Sequence, residues 1–240
     1  MSAARAVLLP FLLTRALVAI VALAATAFVP LSAVCRNACH ASTIPLLDVA
    51  SRWDADPYLV IARDGYRADL PSHVAYFPLY PFLMRVGGGL FGTDDAYLAA
   101  GVLISNLALF AALVYLARSV MLDHDATTAT RAAVYLLVFP TTVFLSVVYA
   151  ESLFLVLAIA ATYHARRRDW LLAGALAALA ALTRPFGAIV ALPLAMEALR
   201  RPIAFRGLAA TLLAPATFFA WLGVLWLITG DPRALLTAQA

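Results

Sequence analysis

Long apolar runs separated by short polar turns dominate the chain. They cover residues 16–34, 97–117, 132–146, 151–165, 170–184, 186–199 and 206–229, with few or no charged side chains in each. Runs of this length and polarity predict helices whose side chains face lipid. The expected architecture is all-α: a multi-pass transmembrane helix bundle forming one domain over residues 1–240. One stretch breaks the pattern. Residues 51–66, Ser-Arg-Trp-Asp-Ala-Asp-Pro-Tyr-Leu-Val-Ile-Ala-Arg-Asp-Gly-Tyr, form a polar island between the first run and the rest. Carboxylates and aromatics gathered in one loop of a greasy chain mark a place for chemistry at the bilayer surface.

Arginines orient the runs. Arg118 with Arg131, then Arg166 to Arg168, then Arg200, Arg201 and Arg206, flank alternate turns. Retention of positive charge in the cytoplasm puts all three clusters inside. Arg5 and Arg15 agree, with residues 1–14 read as interfacial and Arg15 snorkelling to the cytoplasmic side. The first run is too long for a cleaved leader, so an uncleaved helix is expected. Seven crossings then place the N-terminus inside. They place the loop 35–96, the turn 147–150, the turn at Arg184 and the return at Gly230 outside. Residues 76–92 are apolar, yet a crossing there would reverse every later cluster. Two prolines and three successive glycines make them an interfacial or re-entrant helix on the outer face.

Several runs are short. A helix of about 15 residues rises about 22 Å, against a hydrocarbon core of about 30 Å. Helix ends below the surface are tolerated where they face protein or a wet cavity, so a recess roofed by the loop 35–96 is expected.

Composition narrows the class. The 240 residues are 65% hydrophobic and 12% charged, where soluble domains average about 45–50% and about 25%. Net charge is +4, carried by 17 arginines without a lysine. These sit at the ends of apolar runs and not on one face, which argues against nucleic acid as a partner. The alanine-rich, lysine-free composition looks bacterial. Cys35 and Cys39 lie four apart beside His40; outside the cytoplasm they have the option of a disulfide, with no functional role as the default. No Walker loop, zinc spacing, nucleophile elbow or dinucleotide fingerprint occurs.

The candidate chemistry is carried by few residues. Asp56-Pro57 reads as a helix start with Asp56 as N-cap. Asp54 has no such duty and follows Trp53, so it is a candidate general base as well as a candidate solvated acid. Glu151, one of two glutamates, opens an apolar helix. Arg184 sits in Leu-Thr-Arg-Pro-Phe-Gly between two short helices. Ionisable groups at that depth are costly and usually functional. They have three readings: mutual pairing, an anionic headgroup on Arg184, or a helix-terminus charge at Glu151. Tyr76, Pro78, Tyr80 and Pro81, followed by Arg85, make a rigid aromatic stretch suited to anchoring or to lipid binding. Asp231 lines a site or begins a turn. His73, His124 and His164 have no assigned partners.

These motifs resemble the PIG-V-like mannosyltransferases, relatives of the second mannosyltransferase of GPI-anchor synthesis. Arg52-Trp53-Asp54 with Tyr58, Ile61-Ala62 and Gly65-Tyr66 is similar to the family's first-loop signature. Phe77-Pro78-Leu79-Tyr80-Pro81 with Arg85 follows, then Tyr149-Ala150-Glu151-Ser152-Leu153-Phe154. Leu182-Thr183-Arg184-Pro185 with Gly187 and Gly230-Asp231-Pro232 with Ala238-Gln239 complete the order. The family is similar to the wider GT-C glycosyltransferases, multi-pass enzymes that take sugar from a polyprenyl-phosphate donor on the outer face. The resemblance implies Asp54 as base, with Asp56 sharing or taking that role because Asp56-Pro57 replaces the usual uncharged residues. It implies Arg184, then Arg85, on the leaving phosphate, Glu151 positioning the sugar or Arg184, and inversion. Trp53, Tyr58, Tyr80 and Asp231 complete the implied substrate site.

The implied partners are a polyprenyl-phosphate-linked sugar, a glycan or lipid acceptor, and membrane lipids. No cofactor is required by the motifs; a divalent metal is compatible with them but has no ligand set. Relatives continue past the Gly-Asp-Pro motif, so a shortened member or a fragment is expected, with a partner subunit as one way to complete it. A non-catalytic scaffold of the same fold is the alternative. A transporter is disfavoured because the polar residues cluster on one side.

Overall fold

The computed structural model describes residues 3–28, 41–200 and 202–238. In chain order the helices are α1 (Ala3–Phe28), α2 (Pro45–Ala50), α3 (Ala55–Asp64), α4 (Leu79–Gly88), α5 (Asp94–Val120) and α6 (Ala126–Val138). They continue as α7 (Glu151–Arg166), α8 (Trp170–Ala181), α9 (Ala191–Leu199), α10 (Phe205–Thr211), α11 (Leu213–Thr229) and α12 (Ala234–Thr237). Tight 3-10 turns occupy Pro71–Ala75, Pro140–Leu145 and Pro185–Val190. No strand occurs among the described residues, so the chain is all-α as expected. Three helices, Ala3–Phe28, Asp94–Val120 and Phe205–Thr229, are long and apolar enough to cross a membrane. Residues 29–34 of the first apolar run, the Cys35–Cys39 pair with His40, Arg201 and Gln239 lie outside the described residues.

The chain divides into two units, Met1–Arg63 with Pro81–Ser152, and Asp64–Tyr80 with Leu153–Ala240. In the first unit, α1, α5 and α6 pack around Val7, Leu109, Leu113, Ala117, Ala129, Ala133 and Leu137. The start of α5 is built from its sequence. Thr93 accepts the Ala96 N–H at 3.2 Å, Asp94 and Asp95 fill the first turn, and Arg118 lies in the last. Each charge opposes the end of the helix dipole that attracts it. Asp125 caps α6 in the same way, accepting the Thr128 N–H at 2.8 Å.

The apolar run 132–146 is not one helix. Phe139 is extended, at φ −63° and ψ 137°, because Pro140 follows it and disfavours the helical region for the residue before. The chain turns through Pro140–Leu145 and reaches α7 by a non-helical stretch. That stretch frees carbonyls, and side chains from around it donate to them. Arg15 donates to Thr142 O at 3.1 Å, to Ser146 Oγ at 2.7 Å and to Leu137 O at 3.4 Å. Asn106 donates to Ser146 O at 3.0 Å, Ser105 to Tyr149 O at 3.1 Å and Ser152 to Leu145 O at 2.6 Å. Arg15 thus meets the turn sideways, and the helix runs unbroken through it from Ala3 to Phe28.

In the second unit, α8 packs against α10, α11 and the turn Pro185–Val190. Its packed face is made of Ala173, Gly174, Ala177, Ala180 and Ala181, small residues that let backbones approach. Gly187 marks the closest approach: a Cβ there would lie 2.1 Å from the Ala180 carbonyl oxygen. Val74, Leu225 and Ala234 form a separate core with Tyr66 and Trp221.

Two stability outcomes follow. Gly187→Ala drives a methyl into backbone that has no rotamer to escape with, so the cost is about 1–3 kcal/mol or more. Arg15→Met leaves the Thr142 carbonyl without its donor, at about 1–3 kcal/mol. Thermal unfolding in detergent reads both. A midpoint unchanged from wild type would show, for Gly187, a turn looser than described and, for Arg15, a carbonyl already served by water.

Candidate functional site

In the first unit the start of the polar island, residues 51–54, is a short bridge between α2 and α3. Asp48, in α2, is 5% exposed and ion-paired with Arg52 at 3.0 Å, and it also accepts the Ala41 N–H at 3.0 Å. The spacing is i to i+4, so the end of α2 brings the two side chains together. Trp53 follows with φ +58°, the left-handed region that a side chain with a Cβ rarely adopts. That twist reverses the chain and presents the Trp53 ring, 72% exposed, with its edge to Phe144 at 6.0 Å.

Asp54 comes next and immediately precedes α3, while Asp56 lies within the first turn of that helix. α3 begins one residue ahead of Asp56, so Asp56 is not the N-cap that the sequence suggested. Its charge still suits a helix start. Both aspartates are exposed. Among the described residues no side chain donates to either carboxylate.

The main chain of Asp54 is held. Its N–H donates to the Tyr149 phenol oxygen at 3.2 Å. Tyr149 is buried, its ring 5.5 Å from Phe144, and its own carbonyl takes the Ser105 hydroxyl. The Val148 N–H bonds to Ala50 O at 2.9 Å, joining the turn to the end of α2. The Arg52–Trp53–Asp54 tripeptide is therefore fixed at both ends, by Asp48 before it and Tyr149 after it. The side chain of Asp54 stays exposed. Tyr58 is buried on α3 and packs the helix in place. Glu151 opens α7 as expected and is half-buried.

Arg85 has a different setting. Its Nε donates to Ala62 O at 2.7 Å and its Nη2 to Arg63 O at 2.6 Å. These are last-turn carbonyls of α3, which lack intrahelical donors. Arg85 braces the C-terminal end of the helix that Asp54 precedes.

In the second unit the Leu-Thr-Arg-Pro-Phe-Gly motif makes a sharp exit from α8. Thr183 bonds back to Ala180 O at 2.6 Å, Arg184 is extended at φ −156°, and Pro185 opens the next turn. The Gly187 N–H closes it on Arg184 O at 2.9 Å. Arg184 is thereby set at the end of α8, half-buried. The Phe-Pro-Leu-Tyr-Pro motif is pinned to the same exit, for the Leu79 N–H donates to Leu182 O at 2.9 Å. Tyr80, beside it, is fully buried. Tyr66 donates to Tyr76 O at 2.5 Å and packs edge-on to Trp221; burial pushes its phenol pKa far up. Asp231 is exposed and accepts the Arg233 N–H at 2.8 Å after Gly230 ends α11 at φ +72°. Its setting is that of a turn residue. His73 is half-buried in the Pro71–Ala75 turn. No group of three or more His, Cys, Asp or Glu that could hold a metal ion occurs among the described residues.

Sequence reasoning passed over Asp48 and did not single out Tyr149. Asp48 had one legible signal, its four-residue spacing from Arg52. Tyr149 was legible only as the first residue of a motif; its bond to Asp54 was not, because the two lie 95 positions apart.

Comparison with known proteins follows this geometry. The chain matches the family described as Mannosyltransferase (PIG-V) over residues 4–211. It is 32% identical over 153 residues to the GPI alpha-1,6-mannosyltransferase 2 of Rattus norvegicus, covering 60% of this chain and 30% of the rat protein. The Mus musculus protein of the same name matches with the same identity and coverage. The aligned stretch thus spans under a third of either rodent protein. No solved structure matches the chain. With most of its length matched to one family and its first-loop motif held in a defined geometry, the chain belongs to the PIG-V mannosyltransferase family.

Proposed function

We propose that this chain is a membrane mannosyltransferase that uses a polyprenyl-phosphate sugar donor and inverts the anomeric centre. The observation that carries the reading is the Asp54 carboxylate: exposed, without a donor among the described residues, and set beside the exposed Trp53 by a main-chain anchor. A base must reach its proton with lone pairs unspent, and this aspartate keeps them. The step balances without a further reagent. Asp54 takes the proton of an acceptor hydroxyl as that oxygen attacks the anomeric carbon. The bond from this carbon to the phosphate oxygen breaks, and the prenyl phosphate leaves with its electron pair. Arg184 meets the developing phosphate charge, and Trp53 offers a flat apolar surface to the sugar. Asp56, two residues on, is the second candidate base. Glu151 positions the sugar or Arg184.

The topology follows from the arginine clusters. The N-terminus is cytoplasmic, and the bridge carrying Asp54 faces the opposite side of the membrane. The acceptor is a glycan or a lipid. The family relation supports the mannose; the composition supports the bilayer. A non-catalytic scaffold of the same fold is the alternative reading.

The test is transfer from radiolabelled polyprenyl-phosphate-mannose in membranes containing the chain. Asp54→Asn lowers transfer about 10²–10⁴-fold, the usual weight of a general base. Unchanged transfer would move the role to Asp56. Tyr149→Phe removes one hydrogen bond, worth about 0.5–1.5 kcal/mol, so the rate drops about 2–10-fold while the chain stays folded. A Tyr149→Phe rate equal to wild type would mean that the anchor does not position the base. Wild-type inactivity beside an active longer relative would favour the scaffold.

A further inference from the structure

The second unit has a concavity at the end of α8 opposite to Arg184. It holds about 530 Å³ and is lined by Arg168, Asp169, Trp170, Leu171, Arg206 and Leu213, with two alanines of α10. That volume is in the range of small-ligand sites, about 300–1,000 Å³. The 12 residues of α8 separate this end from Arg184, about 18 Å at the helical rise. A ligand here does not share the phosphate position assigned to Arg184.

Two arginines and a tryptophan share the lining with apolar side chains. Arg168 has φ +61°, a left-handed conformation for a residue with a Cβ, and its Nη2 donates to Pro202 O at 2.9 Å. The twist and that bond fix the side chain at the rim, with further N–H donors of the fork to spare. Arg206 has no ion-pair or hydrogen-bond partner among the described residues. The one acid of the lining is occupied: Asp169 lies 3.2 Å from His164 Nδ1. Trp170 is wedged so closely that a Cβ on Gly207 would meet its ring at 2.9 Å. The rim is therefore prearranged.

Beyond the rim the surface is apolar. Leu171 is 82% exposed and Phe205 is 80% exposed. The segment Phe205–Thr229 is long and apolar enough to cross a membrane, with only 22% of its most apolar window buried. A soluble anion would use the guanidinium groups and leave that surface bare. A phospholipid uses both, with its phosphodiester on the arginines, its glycerol against Trp170 and its chains along Leu171 and Leu213. Arginine suits the first contact because its fork meets phosphate oxygens in pairs, and tryptophan suits the headgroup level. We infer that this concavity is a binding site for one anionic phospholipid, on the face where the arginine clusters place the cytoplasm.

Native mass spectrometry of the full chain, released from nanodiscs of mixed phosphatidylglycerol and phosphatidylcholine, tests this. Wild type retains phosphatidylglycerol in preference to phosphatidylcholine. The double variant Arg168→Gln/Arg206→Gln loses about tenfold or more of the retained phosphatidylglycerol, as two juxtamembrane arginines warrant. Arg118→Gln/Arg131→Gln, in the other unit, retains it. Leu213→Trp, which fills the concavity and keeps both charges, shows the same loss as the first double variant and guards against a folding failure there. The site is overturned if the first double variant keeps phosphatidylglycerol like wild type, or if both double variants lose it equally. It is also overturned if millimolar inorganic phosphate displaces the lipid, which would make the site one for a soluble anion.

Discussion

Backbone polarity between two apolar helices is the constraint on which the first unit rests. Pro140 prevents α6 from continuing, and the chain then travels through residues 139–150 with one 3-10 turn and no α-helix. In lipid each carbonyl released by such a break needs a donor. Four neighbours supply them: Arg15 from α1, Ser105 and Asn106 from α5, and Ser152 from the start of α7. A guanidinium, two hydroxyls and an amide hold together a turn that apolar packing alone would not specify. Tyr149 and Phe144 ride on that turn, so the anchor of the Asp54 loop depends on the same donors. A charge that is costly in a membrane helix serves here as a donor to the broken helix beside it.

Much of this was legible in the chain and some was not. The all-α class and the membrane setting followed from apolar runs whose length alone is diagnostic. The polar island and the Arg184 turn stood out because charge is rare here. The duties of Asp54 and Asp56 were less legible, since Asp-Pro signals a helix start to within a residue and the decisive difference is one position. The partners of Arg15 were illegible for a related reason. A lone arginine in an apolar run reads as a boundary when its partners are more than 120 residues away in sequence. Arg85 shows the same limit. It stands in a motif and carries a charge, but the helix end it braces lies about a turn-and-loop away in sequence and is invisible to local pattern.

The two ends of α8 are built differently. Its last turn leads into Arg184 through a threonine, a proline and a glycine that permits close approach. Its first residue, Trp170, stands between arginines at the opposite end. The small side chains between them let α8 sit deep among its neighbours, so both ends are held by packing along the middle.

The contact between Tyr149 and Asp54 goes to the amide and not to the carboxylate. An anchor that reads only the main chain is blind to the side chain at position 54. Any residue other than proline can occupy that position without breaking the anchor. The side chain at position 54 can then change separately from the architecture, and a descendant with another residue there would keep the loop in place.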